Sequence, residues 1–236
     1  MSTLIFDIET IGEDFDSLDE LSQEALTRWI KKTSRDEQSY EAALENIKGG
    51  MGLSPWTGEI ISLGLLDYEK DKGAVYFQAP GEDYGEFEDG KIKFKQMEEG
   101  EILEKFWQGA KHYQSFISFN GRSFDVPFLM IRSAVNKVRP SKNLLSNRYL
   151  NSQLAGSKHI DLLEQFSFYG AVYRKPSLHL CCRTFGIESP KSGGITGDDV
   201  AKLFKNKKYK DIAKYNVGDL VATKKLYEYW RDYIHI

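Results

Sequence analysis

The apolar positions in the first third of the chain form short, nearly continuous runs. Residues 3–9 are apolar on both faces of an extended chain except for two carboxylates, which predicts a buried strand. Residues 60–67 and 74–78 predict two more strands, joined by a turn at residues 71–73. None of these runs approaches the ~20 apolar residues that a membrane-spanning helix needs.

Strands and helices alternate along the middle of the chain. Residues 98–110 and 126–137 carry apolar side chains at helical spacing, whereas residues 114–119 and 160–162 predict two further strands. The acidic residues 79–97 are expected to form a loop. Early strands followed by alternating strands and helices predict an α/β fold with a mixed sheet.

Two further segments have a mainly helical pattern. Residues 13–48 are polar and acidic with weak helical periodicity, and we interpret them as a helical insertion. The pattern from residue 177 onward is also helical, with breaks at Pro190 and at Gly193-Gly194. Because no repeat or long linker divides the chain, we expect one domain over residues 1–236.

Composition narrows the class of protein. The chain is 41% hydrophobic and 28% charged, as in globular proteins, and no basic N-terminal region precedes an apolar run. The two adjacent cysteines, Cys181 and Cys182, cannot form a disulfide framework or a spaced zinc site. We therefore expect a soluble cytoplasmic protein with free thiols and no membrane partner.

Charge is distributed unevenly although the net charge is only −3. Residues 1–110 carry 11 Lys and Arg against 25 Asp and Glu, whereas residues 111–236 carry 21 against 10. This asymmetry favours an anionic partner for the second half. Six lysines between residues 202 and 214 form either a solvated helix surface or a phosphate track: Lys202, Lys205, Lys207, Lys208, Lys210 and Lys214.

Asp7 and Glu9 lie two residues apart on the first predicted strand, so their side chains point to the same face. Two adjacent carboxylates within an apolar strand repel each other and disfavour burial. A divalent cation would offset both effects. The alternative is that this end of the strand is exposed and the two acids are solvated.

Three other acids occupy positions where chemistry and a simple structural role are both plausible. Asp125 follows an Asn-Gly turn and precedes Pro127, so it suits either a site or a helix N-cap. Tyr215 and Asp219 share one face of a predicted helix, where they are either functional or a buried hydrogen-bonded pair. Asp161 ends a short strand and either supports a nearby carboxylate site or lies on the surface.

The order of these motifs resembles the DEDDy branch of 3′–5′ exonucleases: Asp-x-Glu first, then Asn-x-x-x-Phe-Asp, then Tyr-x-x-x-Asp. Two sequence segments are most similar to the proofreading domain of family B DNA polymerases: Phe-Asp-Ile-Glu-Thr and Phe-Asn-Gly-Arg-Ser-Phe-Asp-Val-Pro. The chain resembles more closely the stand-alone proteins that are described as predicted exonucleases related to that domain. The resemblance covers nearly the whole chain except residues 13–48. The sibling branch has histidine where this chain has Lys214.

This resemblance implies a ribonuclease-H-like fold, with a mixed, roughly five-stranded sheet flanked by helices, and a two-metal site. Asp7, Glu9, Asp125 and Asp219 would bind two Mg²⁺ or Mn²⁺ ions, and oxygen ligands suit such hard cations. Tyr215 would orient the attacking water, because a phenol of ordinary pKa near ~10 is a poor general base at neutral pH.

The resemblance also implies a substrate. The expected reaction removes 5′-mononucleotides from the 3′ end of DNA, most simply single-stranded DNA. Thr10 and Ile11 are expected to touch the terminal nucleotide, and Asn120 and Phe124 to line the path of the strand. Two alternatives stay open: an exonuclease that trims RNA from its 3′ end, and a nucleic-acid-binding module without catalysis.

Overall fold

The computed structural model describes residues 2–190 and 197–235, and the predicted break at Gly193-Gly194 lies outside them. The described part forms a seven-stranded mixed sheet in the order β4-β5-β3-β2-β1-β6-β7. The strands are β1 (Thr3–Gly12), β2 (Gly58–Asp67), β3 (Lys72–Phe77), β4 (Glu86–Asp89), β5 (Ile92–Gln96), β6 (Ser115–Ser118) and β7 (Lys158–Asp161). Strand β1 lies near the centre, antiparallel to β2 and parallel to β6.

Helices cover both faces of this sheet. They are α1 (Glu20–Thr33), α2 (Glu37–Gly50), α3 (Glu99–Ala110), α4 (Asp125–Val135), α5 (Leu162–Phe166), α6 (Leu178–Thr184), α7 (Val200–Lys205) and α8 (Tyr209–Tyr233). Short 3₁₀ turns connect several of them.

Alternation along β1 divides the core into two layers. The side chains of Leu4, Phe6 and Ile8 are buried with apolar residues of α3 and α4. Ile5 is buried instead with residues of α6 and α8. Since successive strand residues point to opposite faces, Asp7 and Glu9 belong to the same face as Ile5 and point toward the helix α8 side.

The mixed α/β architecture is the one predicted from the sequence, but the sheet has seven strands where we expected roughly five. Residues 79–97 were expected to form a loop, whereas they contain the antiparallel pair β4 and β5. Phe87 stacks on Phe94 across this pair, with ring centroids 4.8 Å apart. The two-residue turn Gly90-Lys91 joins the paired residues Asp89 and Ile92, and a glycine at the first turn position between alternating apolar and charged residues is a typical hairpin signal, which the high charge of this segment obscured.

The segment interpreted as a helical insertion contains α1 and α2. Asp19 and Asp36 cap these helices by accepting hydrogen bonds from Ser22 and Ser39. Helix α1 contributes the buried side chain of Ile30. Among the described residues, no helix combines the length and the apolar character required to cross a membrane.

Candidate active site

The carboxylates of β1 meet the carboxylate of α8 on the face of the sheet that α8 covers. Side-chain oxygens of Asp7, Glu9 and Asp219 all lie within 4.8 Å of one another. Glu9 and Asp219 are 8% and 7% exposed. The register of β1 against β2 shifts between Glu9 and Thr10, so a bulge interrupts the ladder beside this cluster before pairing resumes at Thr10.

Asp125, at the start of α4, contacts the same strand. It is the first residue of α4 and is 2% exposed, and Phe124 occupies the N-cap position without a side-chain capping bond. The Asp125 Oδ1 atom accepts a hydrogen bond from the Ile8 N–H at 3.2 Å. Asp125 is therefore attached to β1 between the two strand carboxylates, and it does not serve as the helix N-cap.

Tyr215 completes the cluster from α8. Its hydroxyl hydrogen-bonds the Asp219 side chain one turn later, as the i and i+4 spacing predicts. Burial raises the pKa of Tyr215 far above its ordinary value, and the carboxylates of Asp219, Glu9 and Asp7 add to the rise. The phenol is consequently protonated throughout the neutral range.

The electrostatics of the cluster are unfavourable without a cation. Burial raises the pKa values of Asp7 and Glu9 well above their ordinary range, and repulsion from Asp219 and Asp125 raises them further. Burial also raises the pKa of Asp125 to about 8, with a contribution from repulsion by Asp161. Closely spaced carboxylate oxygens of this kind are the ligand set that hard divalent cations prefer. The residues present therefore fit a divalent metal ion.

Asn216 is a component of the site that the sequence reasoning missed. Its side chain is fully buried, and its Nδ2 donates to Asp7 Oδ2 at 2.9 Å. Its hydrogen bond to Glu9 offsets part of the rise in the pKa of that residue. A signal was present, because Asn216 is an amide on the apolar stripe of α8, one residue after Tyr215.

Gly64 makes room for this contact. It is the β2 residue that pairs with Asp7, and a Cβ at this position would lie 1.8 Å from Asn216 Oδ1. Only glycine therefore permits α8 to approach β2 closely enough for Asn216 to reach Asp7.

Asp161 supports the turn that leads into α4. It is buried at the end of β7, and its carboxylate accepts backbone N–H bonds from Asn120, Arg122 and Leu163 at 2.9–3.0 Å. It is thus not a surface residue. In the same turn Asn120 has a positive φ of 66°, and a Cβ on Gly121 would lie 2.1 Å from Ser118 Oγ. These contacts fix the path of the chain from β6 to Asp125.

A cleft of about 840 Å³ opens beside the acidic cluster. Glu9, Thr10, Ile11 and Phe124 line one part of it, and residues of the segment 13–53 line another. Thr10 Oγ1 donates to the Gly52 carbonyl at 2.6 Å, so its side chain attaches β1 to the turn after α2. Three of the four residues expected to touch substrate thus share one cleft with Glu9, while Asn120 lies in the turn that Asp161 holds.

Comparison with known proteins agrees with this geometry. Residues 74–232 match the model of a family described as predicted 3′–5′ exonucleases related to the exonuclease domain of PolB. The chain belongs to this family. The matched part of the chain contains Asp125, Tyr215 and Asp219, while the carboxylates of β1 precede it.

Two more distant relatives match almost the whole chain. The DNA polymerase of Autographa californica nuclear polyhedrosis virus is 22% identical over 253 residues, which cover 96% of this chain and 24% of the polymerase. The family B DNA polymerase of the archaeon Pyrobaculum calidifontis has 16% identity and a TM-score of 0.55, over 98% of this chain and 24% of the polymerase chain. The chain thus spans about a quarter of each. The structural likeness shows the fold, which is the ribonuclease-H-like fold predicted from the motifs.

Proposed function

We propose that this protein is a divalent-metal-dependent 3′–5′ exonuclease that removes 5′-mononucleotides from the 3′ end of single-stranded DNA. The convergence of Asp7, Glu9 and Asp219 within 4.8 Å, from the first strand and the last helix, is the observation that carries the proposal. Membership in a PolB-related 3′–5′ exonuclease family supports the direction of hydrolysis.

The metal ligands in this proposal are Asp7, Glu9, Asp125 and Asp219. Their four negative charges match two Mg²⁺ or Mn²⁺ ions. Burial, and after it repulsion between carboxylates, raises the pKa values of Asp7, Glu9 and Asp125, which supports this fit. When bound, two such ions activate a water for attack on the phosphate and stabilise the charge that develops on the departing 3′-oxygen.

The protein residues position the reactants. Tyr215 remains a protonated phenol, so it orients the attacking water by hydrogen bonding and does not remove its proton. Asn216 holds the Asp7 carboxylate in place through its 2.9 Å hydrogen bond. Asp161 holds the turn before Asp125, so we assign it a positioning role.

The terminal nucleotide of the substrate binds in the cleft beside Glu9. Its volume of about 840 Å³ accommodates a terminal nucleotide, and Ile11 and Phe124 supply apolar surface for a base. The Thr10 hydroxyl is engaged with Gly52, so Thr10 contributes to this cleft mainly by fixing its wall.

The proposal is tested by digesting 5′-labelled single-stranded DNA and RNA of the same sequence, with Mn²⁺ and with a chelator. We expect a ladder of progressively shorter labelled DNA and release of 5′-mononucleotides, both stopped by the chelator. Preferential shortening of the RNA would assign the site to an exoribonuclease. Binding of both strands without hydrolysis of either would indicate a non-catalytic nucleic-acid-binding module.

A further inference from the structure

A second cleft lies where the segment after α4 meets the end of α8. Its volume is about 260 Å³, and it shares no lining residue with the cleft beside Glu9. Aromatic rings and two amides dominate its walls: Tyr149, Phe168, Trp230, His235, Asn151 and Gln165. The proposed chemistry uses none of these residues.

Two aromatic rings of this cleft lie in exposed positions. Tyr149 and Phe168 are 55% and 56% exposed. Phe168 and Tyr169 are consecutive non-glycine residues with φ values of 48° and 55°. Bulky residues adopt such left-handed conformations only where their surroundings fix them, and they are concentrated at ligand sites. The hydroxyl of Tyr169 accepts from Gln165 at 2.9 Å, which provides this fixation.

The segment that supplies most of the lining of the second cleft is rich in basic residues. Residues 137–184 contain eight Lys and Arg but only two acids, Asp161 and Glu164. Asp161 is occupied by three backbone N–H groups, and Glu164 forms ion pairs with Arg122 and Arg148. Exposed aromatic rings within a cationic surface are typical of sites that bind single-stranded nucleic acid. The charge of this segment is therefore complementary to a polyanion.

A direct structural connection joins this surface to the proposed active site. Glu164 lies between Arg122 Nε at 3.4 Å and Arg148 Nε at 2.8 Å. Arg122 belongs to the turn that precedes Asp125, and Arg148 immediately precedes Tyr149. The turn leading to a proposed metal ligand and the aromatic cleft are thus held by the same carboxylate.

We propose that the second cleft binds a base of the single strand whose 3′ end is hydrolysed, with Tyr149 and Phe168 as stacking surfaces. This inference rests on the proposed function for the identity of the strand. Asn151 and Gln165 present amides at the cleft, and aromatic stacking accepts any base, so the site secures the strand without demanding a sequence.

The test compares binding of fluorescent single strands of about 4 and about 16 nucleotides to the full chain, with Ca²⁺ in place of Mg²⁺. The wild type should bind the longer strand more tightly. Combining Tyr149→Ala with Phe168→Gly should reduce that advantage at least about 5-fold, the lower end of what one lost stack costs. Glycine suits the left-handed backbone at residue 168, so the melting temperature should not fall through strain there.

Two matched variants separate stacking from general effects. Tyr149→Phe keeps the ring and should keep the advantage of the longer strand. Tyr233→Ala removes an exposed ring outside the cleft and should also keep it. Undiminished binding of the longer strand by the double variant would overturn the inference, even if hydrolysis is normal. A lost advantage in a protein that hydrolyses nothing would sustain the cleft and refute the proposed exonuclease.

Discussion

Asn216 and Gly64 show how a single close approach organises the candidate site. Asn216 is fully buried on α8 and reaches Asp7 across β2, and only the missing side chain at residue 64 permits this approach. The Tyr-x-x-x-Asp pattern could be found in the sequence because helical spacing is regular. The contact between Asn216 and Gly64 could not be found in this way. These two residues are 152 positions apart in the sequence and meet only through the packing of α8 on the sheet.

Gly64→Ala is therefore expected to displace Asn216 and with it Asp7. Overpacking of this kind lowers the free energy of unfolding by about 1–3 kcal/mol. Nuclease activity should fall further than stability explains, because a proposed metal ligand loses its positioning contact. Urea unfolding and hydrolysis of labelled DNA measure the two effects. Gly109→Ala is the control, since a Cβ there meets nothing within 4 Å, residue 109 does not line the cleft beside Glu9, and alanine favours helix α3. Equal behaviour of both variants would refute the role of Gly64.

Tyr215 and Asp219 lie one helical turn apart on α8, but we propose different roles for them. Tyr215→Phe removes one hydroxyl that orients water, so kcat should fall roughly 10²-fold, as for the loss of one positioned hydrogen-bonding group. Asp219→Ala removes a proposed metal ligand and should reduce kcat more. Single-turnover hydrolysis with saturating Mn²⁺ measures both rates. An unchanged rate in Tyr215→Phe would exclude the hydroxyl from the mechanism.

At the scale of elements, the β4–β5 hairpin explains much of the charge asymmetry. Lys207 pairs with Glu82 and Lys214 with Asp89, and the Lys210 ammonium lies 4.5 Å from the Tyr84 ring centroid. Half of the lysines considered as a phosphate track thus contact the acidic hairpin segment. Sequence alone could not reveal this, because the pairing depends on a hairpin that we expected to be a loop.

Lys205 and Lys207 are expected to behave differently for this reason. Lys205 lines the cleft beside Glu9, so Lys205→Glu should weaken binding of single-stranded DNA and lower the log–log salt slope by roughly 0.7, the value for one phosphate contact. Lys207→Glu should leave that slope unchanged, since its partner is Glu82. Fluorescent-oligonucleotide binding over a salt series in Ca²⁺ measures both. Identical slopes in the two variants would contradict the assignment.

The strands and helices themselves were largely predictable because their apolar periods are strong. The run at residues 3–9 lies within β1, and the helical patterns at 98–110 and 126–137 correspond to α3 and α4. The convergence of the carboxylates was expected from the motif resemblance, since no local pattern brings residue 7 to residue 219. The second cleft had no signal of that kind, because its aromatic residues come from separate parts of the chain.

At the scale of the whole molecule, His159 couples folding to pH. It is fully buried beside the Phe6 ring, and its Nε2 lies 2.8 Å from Ser118 Oγ. Burial lowers its pKa to about 3 from an ordinary value of 6.5. The folded protein therefore binds fewer protons than the unfolded chain, so this residue makes stability fall as the pH decreases from about 6.5 toward 3.

We expect this effect to reduce the free energy of unfolding by about 2 kcal/mol between about pH 7 and about pH 5. Asp7, Glu9 and Asp125 act in the opposite direction, because their raised pKa values make the folded state bind more protons. Comparing wild type with His159→Gln by urea unfolding at both pH values isolates the histidine. The variant should lose about 2 kcal/mol less on acidification, and an identical loss would show that His159 does not carry this dependence.

We propose that the carboxylates of β1, α4 and α8 form a metal-dependent site that shortens DNA from its 3′ end. The most direct measurement follows the length of a 5′-labelled single strand incubated with Mn²⁺ and either wild type or Asp7→Ala. We expect stepwise shortening by the wild type and none by Asp7→Ala, because solvent cannot replace a ligand within a cluster where the oxygens of three carboxylates lie within 4.8 Å of one another. Equal shortening by the two proteins would contradict it.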